Sequence, residues 1–304
     1  MFKITLALAT LSATPILADV PKVITDIAPI QSLVAMVMGD LGTPVLLVDG
    51  ASDPHSFQLR PSQAADLQDA QAIFWVGPTM TPWLDRVVDG LADPDASVIL
   101  GDVAGITERT PMFGGDAHDD TEHSDDDHGD HDHGDHDPHI WLDPENAVAI
   151  VDAVASRLSS LDAEHAEIYA ANAASAKSDI VALEGELRAI LALTATRPTI
   201  VFHDAYAHFA GRFELNIVAA LAEGDAADPG AEQVAELRNI VATEQATCVF
   251  TEALHSDKLI LTLTDGLGVP VGRLDPEGSK LTPGPDVYFD MMRKLAQAYA
   301  SCGT

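Results

Sequence analysis

The sequence predicts an α/β protein: two similar lobes, each with a mainly parallel four-stranded sheet, bridged by one long rigid helix. Three observations carry this. Short apolar runs without polar alternation, as in strands buried on both faces of a parallel sheet, alternate with helical stretches. The same strand–helix order occurs on both sides of residues 161–192. Those residues hold an apolar helical seam that runs over many turns. With 304 residues, 47% of them hydrophobic, the chain is long enough for two cores.

The chain opens on a short basic start, Met1-Phe-Lys3, followed by a largely apolar, uncharged run from Ile4 to Leu17. This pattern predicts a secretory signal peptide over residues 1–18, too short for a comfortable transmembrane helix. No cysteine follows Ala18 closely enough for a lipid anchor, so the expected mature protein is soluble and exported.

In residues 19–160, strands are expected at Lys22–Asp26, Pro44–Val48, Ala72–Val76 and Ser97–Leu100, with helices at Ile30–Met38, Pro61–Ala70 and Pro82–Leu91. Pro61 and Pro82 suit the first helical turn, and Gly39 and Gly90 suit C-caps. A helix is expected at Glu145–Leu158, and a longer one from about Ala163 to Leu191. In the latter, Tyr169, Ala173, Ala176, Ile180, Leu183, Leu187 and Ile190 recur every three or four residues. Residues 193–304 repeat the pattern. Strands are expected at Thr199–Phe202, Ile217–Leu221, Thr247–Phe250 and Pro270–Leu274, and helices at Ala205–Phe213, Ala231–Thr243, Ser256–Leu267 and Asp286–Ala300.

Residues 114–138 interrupt the first half with six histidines (His118, His123, His128, His131, His133 and His136), ten aspartates and one glutamate, and no lysine or arginine. So polar a run cannot offset its ordering entropy by burial, and a disordered loop is expected, with its histidines as accessory metal collectors. It supplies eleven negative charges to a chain of net charge −32, which disfavours nucleic acid and anionic lipid as partners and weakly favours cations. Two cysteines in an exported chain suggest one disulfide, Cys248–Cys302. A cysteine metal site is the weaker alternative, because neither has a second cysteine nearby.

In open α/β sheets ligands gather outside the C-terminal ends of the strands. Four residues that could hold a metal lie there: His55, His139, His203 and Asp275. Three imidazoles and a carboxylate suit a tetrahedral Zn²⁺ shell. His208 lies five residues beyond His203, about 140° round a helix, so a packing or supporting role is expected for it. His165 is expected to face solvent. His255 shows no partner spacing, and Glu252 is expected to be buried and hydrogen-bonded or to support the site.

The segments that carry these residues, DPHSFQLRPS, DPHIWLDP, FHDAY and RLDPEG, resemble the metal-receptor family of bacterial zinc and manganese ABC importers. The resemblance is strongest to periplasmic zinc receptors of the ZnuA type. It covers essentially the whole mature chain, including the His/Asp-rich insertion before the second motif. It implies two α/β lobes bridged by a long helix, with metal in the cleft between them. His55, His139 and His203 fall on the family's metal ligands, and Asp275 on the carboxylate that completes the shell in many members. Manganese receptors have Glu where this chain has His203, which argues for zinc as the transported ligand. Some zinc receptors have an acidic residue before the first histidine. Here it is Pro54, so the fourth donor is Asp275 or a water.

The implied function is capture of Zn²⁺ and its delivery to the membrane permease of a zinc importer, by a monomer that is not an enzyme. A manganese receptor is the alternative. No G-x-x-x-x-G-K-[ST] loop is present, so ATP hydrolysis belongs to a separate subunit. A zinc hydrolase is less favoured, because the chain has no His-Glu-x-x-His motif. A pure metal sponge would make the loop, not the strand ends, the functional part.

Overall fold

The unalternating apolar runs form two parallel sheets in the structure, a computed structural model that describes residues 20–50, 52–113, 136–222 and 231–302. In the first half, β1 (Val23–Thr25), β2 (Val45–Leu46), β3 (Ala72–Trp75) and β4 (Ser97–Ile99) lie in the order β2-β1-β3-β4. In the second, β5 (Thr199–His203), β6 (Ile217–Ala222), β7 (Cys248–Glu252) and β8 (Val271–Leu274) lie in the order β6-β5-β7-β8. The two orders are the same once strands are counted within each half. Each sheet therefore has a switch point where its first and third strands meet, the place where such sheets receive ligands.

The two switch points are filled differently. In the first, the buried carboxylate of Asp26 accepts N–H groups from Ile27 and Val76, both at 2.8 Å, which ties the ends of β1 and β3 together. In the second, β5 ends on His203 and β7 on Glu252, two side chains that can bind a cation.

Helices α1 (Ala28–Met38), α2 (Pro61–Gln68) and α3 (Pro82–Leu91) cover the first sheet. Pro61 and Pro82 occupy first turns as expected, where a missing N–H costs nothing. Gly39 caps α1 at φ 55°, a conformation that favours glycine. Gly90, expected as a cap, lies instead within α3. The helix continues through Leu91 and is capped by Ala92, just before Asp93-Pro94 enforces extended backbone.

Helix α4 (Pro144–Leu161) starts where Asp143 accepts the Glu145 N–H at 2.9 Å, a side-chain N-cap. Helix α5 (Ala166–Leu191) buries Tyr169, Ala173, Ala176, Ile180, Leu183, Leu187 and Leu191. The seam ends on Leu191; Ile190, expected there, is only partly buried. His165, expected to face solvent, is mostly covered, with Nδ1 2.7 Å from Asp162 Oδ2 just before α5 begins. The second half adds α6 (Ala207–Phe213), α7 (Ala231–Thr243), α8 (Lys258–Thr264) and α9 (Val287–Ser301).

The helices α1, α4, α5 and α9 pack on one another between the sheets. Their apolar faces form one continuous core that reaches from Val23 and Phe74 on the first sheet, through Leu33, Val154, Ile180 and Leu187, to Phe250, Leu295 and Tyr299. Smaller cores lie on the outer faces. One joins Ile24, Ile73 and Trp75 to Leu67 and Leu84; the other joins Ile200, Leu221 and Val249 to Ile260 and Leu263. Polar ties cross the middle as well. Ser32 Oγ–H donates to the Pro285 carbonyl at 2.8 Å, and the Trp141 indole N–H donates to the Pro276 carbonyl at 2.8 Å.

The expected disulfide is present: Cys248 and Cys302, with Cα atoms 5.8 Å apart, fasten the start of β7 to the end of α9. Among the described residues, no helix is long and apolar enough to cross a membrane. The predicted signal peptide and the loop residues His118, His123, His128, His131 and His133 lie outside the described residues.

Candidate metal centre

Two of the candidate histidines are set by the same three-residue device. In Asp53-Pro54-His55 and again in Asp137-Pro138-His139, the aspartate Oδ1 accepts the histidine backbone N–H at 2.9 Å. Proline holds the middle residue while the aspartate folds back over its neighbour, a local turn written in sequence. The first turn is fixed further by Ser56 Oγ–H donating to Asp53 Oδ2 at 2.7 Å, and by the Trp83 indole N–H donating to the Pro54 carbonyl at 2.7 Å. The third histidine needs no turn, because His203 is the last residue of β5.

These elements bring the three imidazoles together. The His139 ring centroid lies 5.8 Å from that of His55 and 5.3 Å from that of His203. His139 and His203 are buried, and His55 is half-buried.

His139 Nδ1 lies 2.7 Å from Asp137 Oδ1, an acceptor, so the ring's proton belongs on Nδ1 and its lone pair on Nε2. Nε2 is buried and has no hydrogen-bond partner among the described residues. A buried acceptor of this kind costs free energy unless something binds it.

Asp137 is itself held on every side. Burial pushes its carboxyl pKa up, but the hydrogen bonds from His139 and the electrostatic pull of the neighbouring imidazoles outweigh that and hold it below the ordinary value. Its Oδ2 accepts the Ala207 N–H at 3.1 Å, and its carbonyl lies 3.0 Å from His208 Nε2. Burial lowers the His208 pKa, favouring the neutral ring. The Asn146 amide, 3.3 Å from Nδ1, leaves Nε2 to donate to Asp137. His208 thus steadies the backbone of Asp137 behind His139, in line with the packing or supporting role expected for it.

His203 also has a carboxylate behind it. Its Nδ1 lies 2.6 Å from Glu252 Oε2, and Glu252 Oε1 accepts the Tyr206 hydroxyl at 2.9 Å. Glu252 is buried at the end of β7, so the second switch point carries a histidine–carboxylate pair.

Asp275 follows β8 and is half-buried. Its two oxygens accept the Ser279 N–H at 3.0 Å and the Ser279 hydroxyl at 2.9 Å. Two residues on, Glu277 shares the electrostatic field of His203, Glu252, Asp53 and Asp275. Desolvation pushes its carboxyl well above the ordinary range; His203 opposes this, while the neighbouring carboxylates add to it. His136, the one described loop histidine, lies apart at the surface with Nε2 3.6 Å from Glu108 Oε2.

The sequence did not indicate Glu277 or a role for His255. His255 stacks on Phe202 with ring centroids 4.3 Å apart, and its Nε2 lies 3.8 Å from Glu252 Oε2. Donor atoms of His203, Glu252 and His255 all lie within 4.8 Å of one another. A signal was available: His255 follows the end of β7 by three residues, beside the switch point.

Comparison with known proteins agrees with this geometry. The family model for zinc-uptake complex component A, periplasmic (ZnuA), matches residues 23–302. The high-affinity zinc uptake system protein ZnuA of Paracoccus denitrificans is 42% identical over 96% of this chain and 94% of its own length. That of Brucella abortus is 35% identical over 92% and 91%. A crystal structure of ZnuA superposes with TM-score 0.75 at 26% identity, covering 93% of this chain and all of the other. A zinc-bound ZnuA lacking residues 138–173 of its own numbering gives TM-score 0.74 at 26% identity, covering 93% and 98%. From strand order to motif spacing, the chain belongs to the periplasmic zinc-uptake component A family.

Proposed function

We propose that this protein is an exported receptor that captures Zn²⁺ between the imidazoles of His55, His139 and His203 and delivers it to the membrane permease of a zinc ABC importer. The observation that carries the reading is the buried Nε2 of His139, oriented by Asp137 and without a hydrogen-bond partner among the described residues, in a ring that lies between the other two. Three neutral imidazoles suit zinc, and the carboxylates behind His139 and His203 raise ligand basicity in the way carboxylate–histidine–zinc arrangements do. Asp275 is the fourth donor in this reading, its carboxylate kept in one orientation by Ser279. Histidine at position 203 favours zinc over manganese, which prefers oxygen ligands.

The protein works as a monomer in the periplasm, does no catalysis, and leaves ATP hydrolysis to another subunit. Support for the periplasmic location and the transport role comes from the family, described as the periplasmic component A of a zinc-uptake complex.

The test is competition for zinc against a chromophoric chelator. His203→Ala should lose more affinity than the ~10–100-fold that removing an outer partner costs. Unchanged affinity in both His203→Ala and His139→Ala would overturn the site. Asp275→Ala separates the two candidates for the fourth donor: a marked loss supports the carboxylate, and affinity within a few-fold supports a water.

A further inference from the structure

Beside His203 lies a second group of donors, of which the three-histidine centre uses only Asp275. A cavity of about 10 Å³, room for one small sphere, is lined by Glu252, His255, Asp275 and Glu277 together with Ala253, Leu254 and Pro276. Three acidic residues and a histidine therefore line one small space, and no lysine or arginine lines it. The guanidinium of Arg273 is engaged elsewhere, with the Glu252 backbone carbonyl at 3.1 Å and with Asp257 Oδ2 at 2.5 Å.

The distances sort these donors. Two ligand atoms at ordinary zinc distances and a tetrahedral angle stand about 3.4 Å apart. His255 Nε2 and Glu252 Oε2, at 3.8 Å, are within a few tenths of an ångström of that value. His203 Nδ1 and Glu252 Oε2, at 2.6 Å, are too close to share an ion and touch each other directly instead. Exposure gives a direction. The His255 side chain is 25% exposed and that of His203 is 6% exposed, so His255 stands nearer to solvent. Stacking on Phe202 holds the His255 ring, so little rotamer freedom remains to be lost on binding.

We propose that His255 Nε2 and Glu252 Oε2, with the carboxylates of Asp275 and Glu277 on the facing loop, form a second and weaker divalent-metal position, the outer neighbour of the three-histidine centre. Its ion is a first-row transition metal of the kind one imidazole and several carboxylates accept, zinc being the one the receptor meets. The inference rests on the reading above only for the identity of the ion. Glu252 serves both positions: its Oε2 orients His203 and takes part in the outer site, so an ion moving inward passes between neighbours that share one carboxylate.

The direct test is anomalous diffraction at the zinc edge from crystals of the full chain soaked in zinc. The expected result is one peak among His55, His139 and His203 and a second bonded to His255 Nε2 and Glu252 Oε2. The second peak should vanish in His255→Ala and His255→Phe while the first remains. Equilibrium dialysis of the full chain at saturating zinc should show each variant binding one ion fewer than the unaltered protein, whatever the acidic loop adds to both. A single peak at the three histidines, a second peak that survives in the variants, or equal stoichiometry would each overturn the outer site. Absence of the first peak would instead count against the receptor reading, so the two failures are distinct.

Discussion

Asp137→Asn separates what a buried carboxylate does for a metal site from what it does for the fold. Asp137 is 1% exposed; its Oδ1 faces both the backbone N–H and Nδ1 of His139, and its Oδ2 accepts the Ala207 N–H. Asparagine has the same shape and can keep its oxygen on His139. It loses the charge, and it sets an NH₂ against the Ala207 N–H.

The two losses fall on different observables. A hydrogen bond to a charged acceptor contributes about 1.5–3 kcal/mol and a neutral one about 0.5–1.5, so the imidazole loses roughly 1.5 kcal/mol of support as zinc draws charge from it. That is about tenfold in Kd, the lower end of the ~10–100-fold seen for partners behind metal-bound histidines. The unsatisfied Ala207 N–H costs about 1–3 kcal/mol in the metal-free and the loaded protein alike, so it lowers stability and leaves affinity unchanged. Chelator competition reads the first loss, and urea unfolding of the metal-free protein reads the second. A variant destabilised as expected but with unaltered zinc affinity would refute the idea that Asp137 tunes His139.

The other predictions concern stability. Asp26 titrates at about 7 in the folded protein against 3.8 ordinarily, raised by burial over the opposing N–H bonds. A raised carboxyl pKa means the folded state holds a proton that the unfolded state has lost, so this contribution is full below about 4 and is lost as pH rises through 7. Relative to Asp26→Asn, whose side chain does not titrate, unfolding free energy should fall by up to about 4 kcal/mol between pH 4 and 8. Parallel pH curves in urea unfolding would contradict this. Replacing Cys248 and Cys302 by alanine should cost about 2–4 kcal/mol by the same assay. Zinc affinity should stay as it was, because Cys248 starts β7 and the site lies at the strand's other end; a large affinity loss would show that α9 reaches the site.

Much of this was legible in the sequence, for physical reasons. Strands buried on both faces read as plain apolar runs, and all eight expected strands overlap those found. Proline and glycine marked most helix ends, but Gly90 misled, because glycine can lie within a helix when a following proline sets the boundary. The two Asp-Pro-His turns were visible as repeated triplets, and the structure explains the repetition by the bond each aspartate makes to its histidine. Partners that meet only through topology were not legible. His208 reaches the Asp137 carbonyl across 71 positions, and Glu252 meets His203 because β7 lies beside β5. His255 was passed over because spacing along the chain cannot reveal a ring stacked on a neighbouring strand's phenylalanine.

The continuous core through α1, α4, α5 and α9 has a consequence for how the molecule comes apart. Both sheets lean on the same four helices, so removing either half would leave the other only its small outer core intact. The chain should therefore unfold as one cooperative unit, with a single transition that spectroscopic probes in either half report identically. Zinc bound between the halves should raise that whole transition, by RT ln(1 + [Zn]/Kd), and leave no separate softer step behind. A fragment that ends before α5 would expose the faces of α1 and α4 that this core covers, and should aggregate or stay unfolded.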